Sequence, residues 1–196
     1  MNNHNNRHIT KSIRLKTWDY RTPWWYFVTI ATKNHKDYFG QIVNGEMKLN
    51  RLGVMVNQKW LKIAELRKNV ELDYYVIMPN HFHRVIVLNY IIDNSGKLLL
   101  QADKFLEEQI ELNNTKLFYS KISPKPNSLS SIIRSFKSSV TKSANELNLT
   151  EFAWQPRFYD RIIRNEKKLF NIRNYIEQNP LKWKLEKNYP ENMPEL

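Results

Sequence analysis

"VELDYYVIMPNHFHRVIVL", residues 70–88, consists of two runs of strand formers broken by Met78-Pro79-Asn80. Pro and Asn interrupt a strand and favour a turn, so "VELDYYVIM" and "FHRVIVL" read as an antiparallel pair. Two of the chain's five histidines, His81 and His83, stand at the mouth of the second run. Side chains alternate along a strand, so these two point the same way, close enough to share one divalent ion, while Phe82 turns into the opposite layer. The plainer reading makes one a turn cap and the other a hydrogen-bonded sheet histidine. That reading needs no third residue, whereas a metal does.

Outward from this pair the chain alternates short elements. "WWYFVTIAT" (Trp24 to Thr32) is rich in aromatic and β-branched residues and reads as a strand. "GQIVNGEMKLN" reads as a hairpin turning at Asn44-Gly45. Between hairpin and strand pair, Val56, Trp60, Ile63 and Ala64 recur at helical spacing. After Leu88, Ile91 to Asn127 mixes a short helical pattern (Gln101 to Glu111) with turn-rich flanks and reads as an excursion from the domain. Leu129, Ile132, Ile133, Phe136 and Val140 then mark a helix with Ser128 at its N-cap. "FAWQPRFYDRIIR" contains a turn and a candidate strand, and "NEKKLFNIRNYIEQNP" reads as a helix capped by Asn165 and stopped by Pro180. The order predicts one α+β domain over 21–187, an antiparallel sheet with helices packed on it, between a basic arm at 1–20 and a tail at 188–196.

Composition narrows the chemistry. The 196 residues carry 31 Lys+Arg against 19 Asp+Glu, a net charge of +12, which predicts attraction to polyanions, nucleic acid first. A basic membrane-surface protein is the competing reading, but no apolar run approaches the ~20 residues of a span and no signal segment opens the chain, so a soluble, cytoplasmic protein is expected. With Cys at 0, a disulfide framework, a thiolate metal site and a cysteine nucleophile are excluded.

A third ligand beside His81 and His83 could come from the C-terminal helix. Tyr175 and Asn179 are four apart and stack on one helical face, beside the stripe of Leu169, Ile172 and Ile176. If that edge faces the histidines, the Asn179 amide oxygen completes a mixed N/O site suited to Mg²⁺ or Mn²⁺, with the Tyr175 phenol one turn away. A phenol with an intrinsic pKa near ~10 attacks a phosphate poorly until a base or metal assists it. The ordinary alternatives are a packed tyrosine and a helix-ending Asn before Pro. Among the cations, Arg134, Lys137, Arg157, Arg161 and Arg164 are candidates for holding DNA phosphates, although exposed charges more often merely solvate a surface. The aromatics at Trp24 to Tyr26 and Tyr74-Tyr75 are assigned mainly to packing.

"YYVIMPNHFHRVIVL" (74–88) together with "WQPRFYDRIIRNEKKLFNIRNYIEQNP" (154–180) resembles the HUH-type single-tyrosine transposases, and within them the REP-associated tyrosine transposase group. There Met-Pro-Asn-His-x-His, Trp-Gln followed closely by Tyr-Asp, and Tyr-Ile-x-x-Asn-Pro recur in this order. The resemblance runs from about Trp25 to Trp183. It implies a ferredoxin-like or RRM-like HUH endonuclease fold and metal-dependent nicking of single-stranded or hairpin DNA. It further implies strand transfer through a 5′-phosphotyrosine that leaves a free 3′-hydroxyl. By the same resemblance His81, His83 and Asn179 are the ligands of Mg²⁺ or Mn²⁺ and Tyr175 is the nucleophile, while Trp154, Gln155, Tyr159 and Asp160 match non-catalytic elements. The Ile91 to Asn127 stretch is longer than the matching loop of compact members, which leaves the DNA specificity open. Homodimer and monomer are both compatible, and nucleoid association is expected when DNA is bound.

Two rivals remain. A non-catalytic hairpin-binding module of RRM-like fold would share the sheet and the charge without needing His81, His83 and Tyr175 as a set. A phosphoesterase with paired His-x-Thr motifs would need two, and only His8-Ile9-Thr10 is present.

Overall fold

The two strands around Pro79 are β4 (Val70–Ile77) and β5 (His81–Leu88) in chain order, and β5 is buried along its whole length. In a computed structural model that describes residues 14, 15, 17–90 and 124–186, the expected α+β architecture is present. The remaining elements are β1 (Trp25–Ala31), β2 (Gly40–Val43), β3 (Glu46–Leu49), α1 (Arg51–Leu66), α2 (Leu129–Glu146), β6 (Tyr159–Ile162) and α3 (Glu166–Glu186). The main sheet has the order β4-β5-β1-β6 with every neighbouring pair antiparallel, the layout of a ferredoxin-like fold.

Strand alternation divides the core between the two faces of this sheet. Tyr26, Val28 and Ile30 of β1 and Phe82 and Ile86 of β5 point to one face. There they meet Val56, Trp60 and Ile63 of α1 and Ile132, Ile133, Phe136 and Val140 of α2. Phe27 and Val85 point to the other face, against Ile172, Tyr175 and Ile176 of α3. Both faces of β5 are therefore covered, which is why its sequence reads as a nearly continuous apolar run.

Local chemistry sets the helix starts. Asn50 caps α1 by accepting from Gly53 N at 2.9 Å, Ser128 caps α2 from Ser131 N at 3.2 Å, and Asn165 caps α3 from Lys168 N at 2.9 Å. Gly53 permits a close approach, because a Cβ there would lie 2.1 Å from the Phe39 carbonyl oxygen. The β2–β3 hairpin turns at Asn44 (φ 53°) and Gly45 (φ 78°), the positive pair that a type I′ turn requires.

Two features depart from the sequence reading, and the candidate strand after Trp154 is present. The β2–β3 hairpin forms its own two-stranded sheet instead of joining the main one, and the tip glycine closes on Leu181 of α3. The segment after Trp154 supplies a fourth strand, β6, on the far edge of β1. Most consequentially, α3 does not stop at Pro180 but runs on to Glu186. A proline inside a helix loses one hydrogen bond and crowds the preceding turn, at a cost of about 3 kcal/mol. Burial of Trp183, one turn beyond Pro180, against the His81 ring offsets that cost.

At the basic N-terminal stretch, Arg14 reaches Asp160 (Nε–Oδ1 2.7 Å) and Ser130, while Trp18 and Tyr20 pack on the main core. The Gln101 to Glu111 helix, the His8-Ile9-Thr10 motif and most of the Ile91 to Asn127 excursion lie outside the described residues. Among the described residues no helix is long and apolar enough to cross a membrane.

Candidate active site

The face of the sheet covered by α3 holds the candidate chemistry. Ile172, Tyr175, Ile176, Asn179 and Trp183 recur three and four apart along α3, and all five are buried. Across from them stand His81 and His83, with ring centroids 4.4 Å apart and 1% and 0% exposed. The structure thus brings together His81, His83, Tyr175 and Asn179 from elements about ninety residues apart in sequence.

Each histidine is oriented by a neighbour. The Asn80 amide nitrogen donates to His35 O at 2.9 Å, so its Oδ1 is the atom facing His81 Nδ1 at 2.8 Å. A carbonyl oxygen only accepts, so Nδ1 of His81 carries the proton and the lone pair lies on Nε2. That Nε2 is buried and makes no hydrogen bond of ordinary geometry, with the Asn179 amide close enough to act on the ring. His83 is paired through Nδ1 with Thr29 Oγ1 at 2.8 Å, and Thr29 faces it across β1–β5. Its Nε2 lies 3.3 Å from the Tyr175 hydroxyl, and its ring stacks on Phe27 at 5.6 Å. If Nδ1–H donates to Thr29, the phenol donates to Nε2 and both contacts are satisfied.

Burial pushes the His81 imidazole down to about 3, with His35 adding to the effect and the Asn179 amide partly opposing it. Burial first, then the His81 ring and the Arg84 charge, holds His83 well below its usual value. Both rings are therefore neutral near pH 7, the state in which imidazole is a ligand or a base. A buried nitrogen lone pair, a second imidazole and an amide make a donor set that fits a divalent cation. Among the described residues no three His, Cys, Asp or Glu side chains gather, so the third protein ligand of such an ion would be the Asn179 amide. A ring fixed through its other nitrogen by a carbonyl oxygen is the usual orientation of a metal-binding histidine.

The other sequence candidates scatter. Arg161 pairs with Phe27 across β1–β6 and so shares the histidine face, as does Tyr159 opposite Thr29. Arg157 and Arg164 are exposed at either end of β6. Arg134 is exposed on α2, behind the sheet. Lys137, also on α2, donates to the carbonyl oxygens of Gln155 and Arg157 at 2.6 and 2.8 Å, and burial, then Arg84, pushes it down to about 8. Trp154 packs against Phe39, Phe136 and Phe152 and donates Nε1–H to Lys137 O. Gln155 N bonds Ala31 O, so the Trp-Gln pair ties α2 to the end of β1. Asp160 faces Arg14 on the opposite side from the histidines.

Sequence reading passed over three contributors. Thr29 was legible only as one strand residue among several, Asn80 only as a turn former, and Trp183 only as the far limit of the resemblance, beyond the expected helix end at Pro180. The spacing Asn179 to Trp183 would have revealed the last, had the helix been carried through Pro180.

No family model matches the chain. An uncharacterized protein of Haemophilus influenzae is 37% identical over 182 residues, covering 93% of this chain and 94% of its own length. Among solved structures, a REP-associated tyrosine transposase bound to a REP hairpin superposes with a TM-score of 0.51 at 19% identity, over 87% of this chain and 73% of that one. At that identity the likeness establishes the fold.

Proposed function

The chain belongs to one family with the Haemophilus influenzae protein, and we propose that it nicks and rejoins single-stranded DNA through Tyr175, on hairpin or repeat substrates of the kind REP-associated tyrosine transposases take. The observation that carries this reading is the placement of the Tyr175 hydroxyl 3.3 Å from His83 Nε2, in one buried cluster with His81 and Asn179. In the step proposed, Tyr175 Oη attacks the scissile phosphorus and the P–O3′ bond breaks. The downstream strand stays on the chain as a 5′-phosphotyrosine, and the departing 3′ oxygen takes up a proton in exchange for the phenolic one. Attack by another 3′-hydroxyl reverses the step and transfers the strand.

His81, His83 and Asn179 would hold the Mg²⁺ or Mn²⁺ that, when bound, polarises and aligns the phosphodiester. His83 Nε2 has one lone pair, so the phenol and an ion compete for it. Were His83 to serve as a ligand, the Tyr175 hydroxyl would be released from its hydrogen bond.

One observation favours a second reading. Tyr175 is only 5% exposed, so DNA reaches it only after α3 shifts, whereas a non-catalytic hairpin-binding module of the same fold would need no such opening. A covalent adduct separates the two. Incubated with divalent ion and single-stranded DNA from its own genomic flanks, the protein should give an adduct that survives a denaturing gel, and Tyr175→Phe should give none while still binding DNA. DNA mapped to Tyr159, the second phenol supplied to that face by β6, or an undiminished adduct in Tyr175→Phe, would sink the assignment.

A further inference from the structure

On the opposite side of the sheet from the histidines, α1 and α2 enclose a cleft of about 640 Å³. Lys59 and Lys62, one turn apart on α1, and Arg67 and Lys68 just beyond its end supply four cations to its lining, which contains no acidic residue. Ser135 and Ser139 of α2 add hydroxyls opposite them, and Arg67 Nη2 spans to Ser135 Oγ at 3.2 Å. No described carboxylate pairs with Lys59, Lys62 or Lys68. The floor is apolar, formed by Ile63, Ile132 and Phe136.

A second observation concerns what lies behind that floor. Arg84 is 0% exposed, and none of its guanidinium nitrogens has a hydrogen-bond partner. Its charge sits 4.9 Å from the centroid of the Phe136 ring, the ring that lines the cleft. A buried charge without a counter-ion is screened little by solvent, so it raises the positive potential of the cleft above it.

We propose that the α1–α2 cleft is a second DNA-binding surface that takes a single-stranded segment, with phosphates on Lys59, Lys62, Arg67 and Lys68 and base faces toward the apolar floor. The inference rests on DNA being the chain's partner, as proposed above. A cationic rim over an apolar floor suits a single strand, which offers phosphates and uncovered bases together. A duplex hides its bases and would leave the floor desolvated without a partner. Because the cleft and the Tyr175 face lie on opposite sides of the sheet, one DNA that occupies both must wrap an edge of the domain.

The triple variant Lys59→Gln, Lys62→Gln, Lys68→Gln tests this, leaving Arg67 to bridge the helices. The probe is a fluorescein-labelled single-stranded oligonucleotide, its binding followed by anisotropy across a salt series. The control variant removes the same charge elsewhere, at exposed cations outside the cleft lining: Lys33→Gln, Lys142→Gln, Lys167→Gln. For single strands each lost phosphate contact lowers the log–log salt slope by about 0.7, so the cleft variant should lose roughly two units and bind on the order of a hundredfold more weakly at 0.1 M salt. The control should stay close to wild type. An unchanged slope in the cleft variant, or an equal loss in the control, overturns the proposal. An equal loss for blunt duplex of the same length overturns its single-strand part. If wild type forms the Tyr175 adduct while the cleft variant binds normally, the cleft proposal falls alone. A wild-type chain that binds no DNA at any salt removes both.

Discussion

His83 and Arg84 are neighbours on β5, both 0% exposed, and they point to opposite faces of one sheet. On the α3 face, His83 is neutral, paired through Nδ1 with Thr29, and within reach of Tyr175 through Nε2. On the α1–α2 face, Arg84 has no hydrogen-bond partner and lies among rings instead, 4.0 Å from the centroid of Phe82, 4.5 Å from Trp60 and 4.9 Å from Phe136. Burial is equally complete on both faces, but only one face spends its polar atoms on groups that can exchange partners. An imidazole buried neutral costs little and keeps a lone pair available. A buried guanidinium loses its hydration, several kcal/mol per ion, against roughly 2 kcal/mol for each desolvated cation–π contact, and its N–H donors remain unmet. The contrast separates an arrangement built around reactivity from one that raises the potential of a surface.

The largest effects are expected on the α3 face. His81→Ala should abolish Mg²⁺- or Mn²⁺-dependent adduct formation while most DNA affinity persists, and full activity in the His81→Ala, His83→Ala double variant would remove the metal site from the proposal. Asn80→Ala tests orientation by itself, because it leaves both rings in place. Loss of the contact at His81 Nδ1 should weaken Mn²⁺ binding, read by titration calorimetry, about 10- to 100-fold. Tyr175→Phe should move Mn²⁺ affinity the other way, since it removes the phenol that competes for His83 Nε2. Weaker Mn²⁺ binding in Tyr175→Phe would place the hydroxyl among the ligands.

Stability changes of a few kcal/mol are expected behind the sheet. Arg84→Met keeps most of the volume and removes the unmatched charge, so the fold should gain about 1–3 kcal/mol, or roughly 2–4 °C in Tm for each kcal/mol in a chain of this size. A lower Tm in Arg84→Met would mean that the three rings hold the guanidinium better than water does.

The smallest and most gradual effect is with pH. His81 is held at about 3 in the folded state, against an ordinary 6.5, so the unfolded chain binds the extra proton first. Its neutral burial leaves stability intact above about pH 6.5 and erodes it as the pH falls toward 3, and His83 acts in the same direction. Tm recorded from neutral to acidic pH should fall through this window in wild type and fall less in the double alanine variant. Parallel curves would show that the histidines do not set the acid limit.

Much of this arrangement was legible in the chain. Strand alternation put His81 and His83 on one face and Phe82 on the other, and the i, i+4 spacing of Tyr175 and Asn179 put them on one face of a helix. Asn44-Gly45, Ser128 and Asn165 announced a turn and two caps, because each acts through its own few backbone atoms. Local chemistry of this kind is complete within a few residues, so sequence alone determines it.

What the tertiary structure decided is what packing overrides or brings together from afar. Pro180 is a stop signal by every local rule, yet α3 continues, because Trp183 finds a buried seat beside His81 that no nearby residue could disclose. The tautomer of His81 depends on Asn80, whose amide is turned by the carbonyl of His35 from a different segment. Arg84 reads from sequence as one more cation in a strongly basic chain, and only the assembled core shows it sealed among three rings. The cations of the α1–α2 cleft meet Ser135 and Ser139 only when helices some seventy residues apart pack side by side. A sequence states which groups a face can present, and the partners that set their protonation, exposure and neighbours arrive only when distant segments are packed together.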